Sequence, residues 1–298
     1  MLTVRPDFYD DFRCLASHCR HSCCVGWEID VDAETLAYYQ TLEGPIADEL
    51  RAKIDPKPAP HFRLEEGERC PFLRPDGLCR LILALGEDSL CDICALHPRF
   101  YNEYPDRTEM GLGLCCEEAA RLLTEGTGHL RLLAEDDGEG EAKPTPLLKL
   151  RQTIFTVLAD DENPLTERMR RALDLMDRPL LPFDAKETAA FCLTLERMDG
   201  AWTELLERLA AAPVSVSEQR LNSMRCARIA EYLVYRHFAA AETMEDAAAR
   251  LQFCFQAVQL ICALEPLSED ALRLFSAEIE YSDENVEKLC EWLREMNA

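Results

Sequence analysis

Cysteines are the residues in this sequence with the most distinctive chemistry. The chain has 15 cysteines in 298 residues, and ten of them come before residue 117. These ten are closely spaced, as C-x4-C-x3-C-C, then C-P-F-L-x5-C, then C-x2-C, and finally an adjacent pair. Thiolates a few residues apart can converge on one ion, which is why such spacings recur in zinc and iron–sulfur sites. The N-terminal part of the chain is therefore predicted to bind a metal.

The identity of that metal is left open by the spacing, because all-thiolate ligation suits both tetrahedral zinc and an iron–sulfur cluster. A disulfide framework is the alternative, and adjacent pairs such as Cys23-Cys24 fit it poorly because neighbours in sequence bridge only with strain. The C-x3-C-x2-C loop of radical enzymes that use S-adenosylmethionine is absent, since its third cysteine would fall at Gly26. The predicted ligands are Cys14, Cys19, Cys23, Cys24, Cys70, Cys79, Cys91 and Cys94.

The other five cysteines are scattered singly through apolar helical patterns. Free cysteine behaves there as a small hydrophobic residue, so these five are predicted to be core. They are Cys192, Cys226, Cys254, Cys262 and Cys290.

Charge and hydropathy exclude several classes of partner. The chain has 32 basic and 56 acidic residues, a net charge of −24, which repels nucleic acids and anionic lipid headgroups. No stretch approaches the roughly 20 uninterrupted apolar residues of a membrane span. The first ten residues turn acidic before an apolar segment could form, so no secretory signal is expected. We therefore expect a cytoplasmic protein with reduced thiols, bound to neither nucleic acid nor membrane.

The sequence predicts two domains joined by a linker. Residues 1–133 carry all the paired cysteines and many turn signals, residues 134–146 are acidic and rich in Gly and Pro, and residues 147–298 are helical in pattern. The predicted fold is mainly α, with a cysteine-rich, metal-stapled N-terminal region followed by a C-terminal α-helical bundle. No block rich in strands is predicted.

Periodicity and capping signals locate individual helices. Apolar residues at three- and four-residue steps predict one helix over residues 32–51, and others after Pro146 and Pro164. Ser215 and Thr243 begin capping-box patterns, and Gly111-Leu-Gly113 is predicted to be a loop. The chain contains no G-x-G-x-x-G after a strand, no P-loop, no H-E-x-x-H and no G-x-S-x-G, so no standard nucleotide or hydrolase site is recognised. The bundle aromatics are predicted to be core: Tyr232, Tyr235, Phe238, Phe253 and Phe255.

Three stretches combine these cysteines and aromatics in a more specific pattern. The first runs from Arg5-Pro-Asp-Phe-Tyr9 through Phe12-x-Cys14-x4-Cys19-x3-Cys23-Cys24-x-Gly26-Trp27-x-Ile29-x-Val31. The second comprises Cys70-Pro71-Phe72-Leu73, Gly77-Leu78-Cys79-Arg80-Leu81-Ile82 and Leu85-Gly86-Glu87-x-x-Leu90-Cys91-x-x-Cys94-x-x-His97-Pro98-Arg99-x3-Glu103. The third comprises Glu231-Tyr232-Leu233-Val234-Tyr235-Arg236-His237-Phe238 and Phe275-Ser-x-Glu278-Ile-Glu280-Tyr281-Ser282-x-x-Asn285.

Together these stretches resemble the flagellin lysine-N-methylase family, and the cysteine blocks also resemble a broader family of zinc- or iron-chelating domains. The resemblance implies methyl transfer from S-adenosylmethionine to lysine ε-amines of flagellin, with a cysteine-bound iron–sulfur cluster, of the 4Fe–4S type, or zinc in its place. Family members are usually longer, and the difference would fall in the middle of the chain.

Methyl transfer to lysine requires a neutral amine, so a site of this kind must remove a proton. The candidates in the stretches of resemblance are Tyr235, His237, Glu280 and Tyr281. Two other functions remain open at this point: a non-catalytic metal-thiolate scaffold, and a redox enzyme with an iron–sulfur centre. Binding of S-adenosylmethionine distinguishes the methyltransferase from the scaffold.

Overall fold

The computed structural model describes residues 2–136 and 143–296, which divide into two compact units. The cysteine-rich unit comprises residues 13–100 and 116–118. The helical unit comprises the described residues of 1–12, 101–115 and 119–298. Within the described ranges there are 14 α-helices and six short strands, so the prediction of a mainly α protein is confirmed.

The helices have the following bounds: α1 Ala33–Thr41, α2 Pro45–Lys53, α3 Arg80–Leu85, α4 Asp92–Leu96, α5 Glu117–Glu125, α6 Pro146–Leu158, α7 Leu165–Asp174, α8 Ala185–Cys192, α9 Gly200–Ala211, α10 Glu218–Leu221, α11 Met224–His237, α12 Met244–Leu264, α13 Ala271–Phe275 and α14 Asp283–Glu295. The strands are β1 Leu2–Pro6, β2 Ile54–Asp55, β3 His61–Phe62, β4 Arg99–Tyr104, β5 Arg107–Leu112 and β6 Leu132–Asp136.

The cysteine-rich unit has a small core of its own. Its buried residues include Tyr39, Leu50, Phe62 and Phe72, and the Phe62 and Phe72 rings meet edge to face at 5.2 Å between centroids. The Tyr39 hydroxyl donates to the Ser89 carbonyl at 2.7 Å, which satisfies a polar group that burial would otherwise leave without a partner. Antiparallel pairing of β2 with β3 adds one short ladder.

The helical unit contains a four-stranded sheet in the order β4-β5-β1-β6. Strand β1 is central and pairs in parallel with β5 and antiparallel with β6, so that Val4 lies opposite both Glu109 and Ala134. These strands were not predicted, because they are only five or six residues long and their apolar residues do not alternate strictly. Gly111 and Leu112 belong to β5, so the predicted loop at 111–113 begins two residues too early.

Helices α11 and α12 form the centre of the helical unit. The middle of α11 is buried on every side, from Cys226 through Tyr235, and most of α12 is buried as well. By length and composition α12 is long and apolar enough to cross a membrane, but 94% of that apolar window is buried inside the protein, which is the position of a core helix. All five predicted core aromatics of the bundle are at most 1% exposed, so that prediction is confirmed.

Side-chain caps define where several of these helices begin. The Thr243 hydroxyl accepts a hydrogen bond from the Asp246 N–H, as its capping-box pattern predicts. The other predicted cap is wrong: Ser217 caps α10 by accepting from the Arg220 N–H, two residues after the predicted Ser215. The predicted helix at 32–51 is interrupted, because Gly44 adopts a φ of +91° and Pro45 starts a second helix.

The unit boundaries differ from the predicted domain boundaries. Residues 101–115 and 119–133 were predicted to belong with the cysteines, but they lie in the helical unit, where strand pairing commits β5 and β6 to the N-terminal strand β1. The predicted linker at 134–146 begins inside β6 and ends at the first residue of α6. Its residues 137–142 lie outside the described ranges.

A buried ion pair connects the sheet to the helices. Arg151 of α6 is 3% exposed and Glu109 of β5 is fully buried, with Nη1 to Oε2 at 2.8 Å. The same guanidinium donates to the Tyr235 carbonyl at 3.0 Å and lies 5.1 Å from the Tyr235 ring centroid. Removing Arg151 leaves the buried Glu109 with a single, more distant counter-charge, Arg107 at 3.8 Å.

Substitution of this buried arginine is expected to destabilise the helical unit. Arg151→Met removes the two hydrogen bonds to the buried Glu109 carboxylate and leaves it only Arg107 at 3.8 Å, so the free energy of unfolding should fall by about 3 kcal/mol. Arg170→Met is the matched control, because Arg170 pairs with Glu167 and Asp174 at the surface and its loss should cost about 0.5 kcal/mol or less. Urea denaturation followed by circular dichroism measures both, and equal losses would contradict the assignment of the Arg151 pair to the core.

Candidate functional site

Nine of the ten N-terminal cysteines lie in the cysteine-rich unit. They form two groups that share the adjacent pair Cys23-Cys24, and the two thiols of that pair hydrogen-bond to each other. The inner thiol group surrounds the small core and consists of Cys24, Cys70, Cys79, Cys91 and Cys94. The outer thiol group lies nearer the surface and consists of Cys14, Cys19, Cys23 and Cys116. The tenth cysteine, Cys115, belongs to the helical unit.

Backbone contacts hold the inner thiol group together. The Cys70 N–H donates to the Cys24 carbonyl at 2.8 Å, and an isolated β-bridge joins Leu73 to Cys79. The first turn of α4 brings Cys94 to Cys91, with N–H to carbonyl at 2.9 Å. The chain segments that carry the five thiols are thus fixed around one core.

Burial and mutual contact perturb the inner thiols. Burial raises the pKa of Cys70 to about 12, with neighbouring Cys24 and Cys79 adding to the effect. The pKa of Cys91 is lowered, chiefly because the Cys94 thiol hydrogen-bonds to it. Several thiolates this close together are unfavourable when no cation is present. A bound metal cation would offset this cost and stabilise the thiolates.

Glu117 organises the outer thiol group. Its carboxylate accepts hydrogen bonds from the Arg20 N–H at 3.1 Å to both oxygens and from the His21 N–H at 3.2 Å. These bonds hold the loop between Cys19 and Cys23 beside Cys116, the residue that precedes Glu117. The outer thiol group is therefore assembled from positions nearly one hundred residues apart in sequence.

As the side chains stand in the described ranges, no group of three or more His, Cys, Asp or Glu residues is placed to hold a metal ion. All 15 cysteines are free thiols, as expected without a disulfide framework. The five C-terminal cysteines are at most 2% exposed, which confirms the prediction that they are core. The assignment of eight cysteines as ligands stays a prediction, and the structure adds Cys116 to their neighbourhood.

A second cluster, in the helical unit, contains three of the four candidate catalytic residues. His237 Nε2 lies 2.8 Å from Glu280 Oε1, and Arg236 Nη1 lies 3.4 Å from the same oxygen. The carboxylate is buried, and its two cationic or hydrogen-bonding neighbours lower the pKa of Glu280 to about 2 despite the cost of burial. Burial also lowers the pKa of His237, so the imidazole is neutral near pH 7.

Tyr281 continues this cluster toward the surface. The Arg236 guanidinium lies 5.0 Å from the centroid of the Tyr281 ring, and Tyr281 is 37% exposed. Its phenol approaches Gly113 so closely that a Cβ on that residue would lie 1.9 Å from the hydroxyl. Burial raises the pKa of Tyr281, with Cys115 as a neighbouring contributor. Glycine at 113 is thus required by the position of the tyrosine.

A short π-helix, Ser276–Glu280, presents Glu280 and Tyr281. Two further motif residues hold it in place. Glu278 accepts from the Met198 and Asp199 N–H groups at 2.8 and 3.0 Å, and Asn285 Nδ2 donates to the Glu278 carbonyl at 2.8 Å. Single π-helical turns are rare and are frequent at functional sites. Glu278 and Asn285 therefore hold in place the π-helical turn that carries Glu280 to Arg236.

The fourth candidate, Tyr235, lies apart from this cluster. Its hydroxyl donates toward the Val4 carbonyl of β1 at 3.1 Å and the Met110 carbonyl of β5 at 2.9 Å. The side chain is fully buried, and burial raises the pKa of Tyr235. Its catalytic role stays a prediction. In the structure its hydroxyl joins α11 to strands β1 and β5.

Three residues of this cluster were not among the candidates. Arg236 stands inside the quoted motif between Tyr235 and His237, and a cationic residue in an otherwise apolar helical stretch is the signal that could have identified it. Gly113 and Cys115 are far from that motif in sequence, and only the fold brings them to Tyr281.

Comparison with known proteins gives three similar chains. The chain is 26% identical over 217 residues to "Lysine-N-methylase" of Salmonella choleraesuis (strain SC-B67) and of Salmonella typhimurium (strain LT2), over 69% of this chain and 53% of each relative. It is 30% identical over 130 residues to "Flagellar biosynthetic protein FliU" of Salmonella muenchen, over 41% of this chain and 77% of that relative. The chain spans about half the length of the two lysine-N-methylases. No family model and no solved structure matches.

The Glu280 cluster is expected to produce an acid-dependent loss of stability. The pKa of Glu280 in the folded state is about 2, below its ordinary value of 4.5, so the stability it contributes is present above pH 4.5 and is lost as the pH falls toward 2. Replacement by Gln removes this dependence. The difference in free energy of unfolding between wild type and Glu280→Gln should shrink by about 2 kcal/mol from pH 7 to pH 3.

Urea titrations at pH 7, 4 and 3 measure this difference. Glu284→Gln is the control, because Glu284 pairs with Lys288 on the surface of α14 and its replacement should leave the pH profile nearly unchanged. A difference between wild type and Glu280→Gln that stays constant with pH would show that Glu280 is not ionised against Arg236 and His237.

Proposed function

Because the chain belongs to the flagellin lysine-N-methylase family, we propose that it is a protein-lysine N-methyltransferase that uses S-adenosylmethionine as methyl donor and flagellin as acceptor. The observation that carries the proposal is the similarity to two lysine-N-methylases over 69% of this chain. The flagellar name of the third relative supports the same acceptor class. We further propose that the reaction takes place in the cytoplasm, where free thiols remain reduced.

The overall charge suits both proposed substrates. The donor carries a positive sulfonium, and the acceptor presents a lysine. A net charge of −24 attracts such cationic groups and raises their local concentration at the surface. The amine can attack the methyl group only when it is neutral and aligned in line with the bond to sulfur. The site therefore has to orient the amine and let its proton leave.

Among the four candidate residues we assign Tyr281 the direct role. It is the one of the four with a large exposed surface, and its ring lies against the Arg236 guanidinium. Burial raises the pKa of Tyr281, so the phenol stays neutral and acts as a hydrogen-bonding group that orients the amine. Glu280 has a pKa of about 2, and its Oε1 contacts both Arg236 and His237, so the carboxylate is a poor proton acceptor at neutral pH. Glu280 and His237 are positioning residues, because they hold Arg236 against the tyrosine ring.

The proposed cofactor is a 4Fe–4S cluster held by the inner thiol group. The fit rests on the chemistry of the donors: such a cluster takes four cysteine thiolates, and this group offers five on rigidly connected segments. When bound, the cluster supplies a one-electron redox centre, and zinc in its place would supply none. In either case the inner thiols would hold the metal by thiolate ligation beside a mostly apolar core.

Metal content tests the inner thiol group directly. Protein purified without oxygen is expected to be brown and to contain iron and sulfide, and Cys91→Ser should lose most of that iron, because Cys91 is 1% exposed among the other inner thiols. Cys254→Ser, a buried thiol of the helical unit, should keep it and cost only about 1 kcal/mol in packing. Elemental analysis and absorption spectra give the result. Colourless wild-type protein, or a Cys91→Ser protein with its full iron content, would overturn this assignment.

Calorimetric titration with S-adenosylmethionine tests the proposed activity. We expect a dissociation constant in the micromolar range, about −8 kcal/mol. Tyr281→Phe should lower kcat for lysine methylation by about tenfold or more while leaving donor affinity unchanged, because the phenol acts on the amine. The matched control is Tyr101→Phe, a tyrosine 43% exposed elsewhere in the helical unit, which should retain full activity.

Two outcomes would contradict the proposal. Absence of any heat of binding in fully metallated protein would favour the metal-thiolate scaffold over a methyltransferase. Equal turnover of wild type and Tyr281→Phe would show that the tyrosine has no direct role. Methyl transfer by the chain would then be tested by donor binding alone.

A further inference from the structure

Two of the buried thiols in the helical unit lie in direct contact. Cys226 Sγ and Cys262 Sγ are 2.8 Å apart, and both residues are at most 1% exposed. We propose that this pair is an oxidation site, at which hydrogen peroxide converts the two thiols into an intramolecular disulfide. The inference is independent of the proposed methyl transfer and of the N-terminal cysteines.

The places of the two cysteines on their helices account for the contact. Cys226 lies in the first turn of α11, and Cys262 lies in the last turn of α12. The chain reverses direction between these helices, which pack against each other, so the start of α11 lies beside the end of α12. A disulfide has its sulfurs about 2.05 Å apart, so the two atoms need to approach by roughly 0.8 Å more.

Polar contacts hold the same two helix ends together without the thiols. Arg225, the neighbour of Cys226, pairs with Glu265 at 2.9 Å. Arg220 Nη1 donates to the Cys262 carbonyl at 3.2 Å, and the Arg220 carbonyl lies 3.5 Å from Cys226 Sγ. The two sulfurs are therefore kept at a high effective concentration relative to each other in the folded protein.

The contact makes Cys226 the more reactive thiol of the pair. Burial alone raises the pKa of Cys192, a buried thiol of the same unit, to about 12. The pKa of Cys226 is instead lowered, chiefly because the Cys262 thiol hydrogen-bonds to it, and the same contact raises the pKa of Cys262. Since the thiolate is the nucleophile, Cys226 attacks the oxidant and Cys262 completes the bond.

Two segments of low burial lead from the surface to this pair. None of residues 211–220, which come shortly before α11, is buried, and none of residues 265–270, which follow α12, is buried. Segments with few buried groups open locally at a low cost in free energy. A small neutral oxidant such as hydrogen peroxide therefore reaches the two thiols, although both are buried in the closed structure.

One peroxide is consumed for each disulfide. The Cys226 thiolate attacks one peroxide oxygen: an S–O bond forms, the O–O bond breaks, and the departing hydroxide takes up the proton released by Cys226 to give water. The Cys262 sulfur then attacks the sulfenic sulfur: the S–S bond forms, the S–O bond breaks, and the second oxygen leaves as water with the Cys262 proton. Two electrons pass from the thiols to the peroxide.

Peptide mapping of the full chain tests the proposal. Protein freed from reductant is treated with hydrogen peroxide while folded, and its remaining thiols are then alkylated in denaturant. Trypsin releases Cys226 in residues 226–228 and Cys262 in residues 251–273. Mass spectrometry is expected to find these two peptides joined, with two hydrogens fewer than their sum, and dithiothreitol should separate them.

Single substitutions identify the sulfurs involved. Cys254→Ser is the matched control, because Cys254 is the other thiol of residues 251–273, and this variant should keep the linked peptide. Cys226→Ser and Cys262→Ser should each abolish it. In Cys262→Ser, peroxide should leave Cys226 as a sulfenic acid that dimedone traps, because the thiol that completes the bond is missing.

Thermal unfolding supplies a second measurement. The disulfide would join residues 36 positions apart, so oxidation should raise the Tm of the helical unit by about 5 °C or more. Cys226→Ser treated in the same way should show no such rise, which separates the effect of this bond from oxidation of other thiols.

Three results would overturn the proposal. One is wild-type protein that yields no linked peptide when oxidised while folded. Another is a linked peptide in which Cys254, and not Cys262, carries the bond. The third is an equal rise of Tm in wild type and Cys226→Ser. None of these measurements uses methyl transfer, so failure of this proposal is distinguishable from failure of the proposed function.

Discussion

The helical unit depends on one constraint: α11 is buried on all sides but carries polar and charged side chains that must find partners. Arg228 pairs with Asp7 at 3.2 Å and donates to the Leu123 carbonyl at 2.8 Å, and the Glu231 carboxylate accepts from the Leu130 N–H at 2.7 Å. The Tyr232 hydroxyl both donates to the Leu112 carbonyl and accepts from its N–H, each at 2.6 Å. If these buried groups were unpaired, each would lower the free energy of unfolding by several kcal/mol. Their hydrogen bonds therefore fix the positions of the sheet and of the loop after α5 relative to α11.

The candidate catalytic cluster inherits its geometry from that constraint. Arg236 and His237 end α11, and their position fixes where a carboxylate can be buried, which is the position that the π-helix gives to Glu280. Tyr281 then lies against Arg236 and over Gly113, next to the end of β5. The sheet and the π-helix thus meet at the same helix end. A change in the buried contacts of α11 should therefore shift Tyr281 even where the changed residue does not contact it.

The sequence predicted the parts of this protein that follow from local pattern. The long helices, the buried aromatics and the Thr243 cap depend on periodicity and on short-range hydrogen bonds, and they were found. The sheet was missed, because pairing of β1 with β6 depends on residues about 130 positions apart and leaves little local signal. The candidate site was found in part: motif resemblance identified Glu280 and Tyr281, whereas Cys115 and Gly113 reach them only through the fold. The same holds for Cys116, which Glu117 brings to the loop thiols.

The proposed reaction is transfer of a methyl group from S-adenosylmethionine to lysine on flagellin. Its most direct test is mass spectrometry of flagellin after incubation with anaerobically purified, metallated protein and S-adenosylmethionine carrying a deuterated methyl group. We expect labelled methyl groups on lysine side chains, at a rate that falls strongly with Tyr281→Phe. Flagellin without label, in the presence of protein that holds its metal and binds the donor, would contradict it.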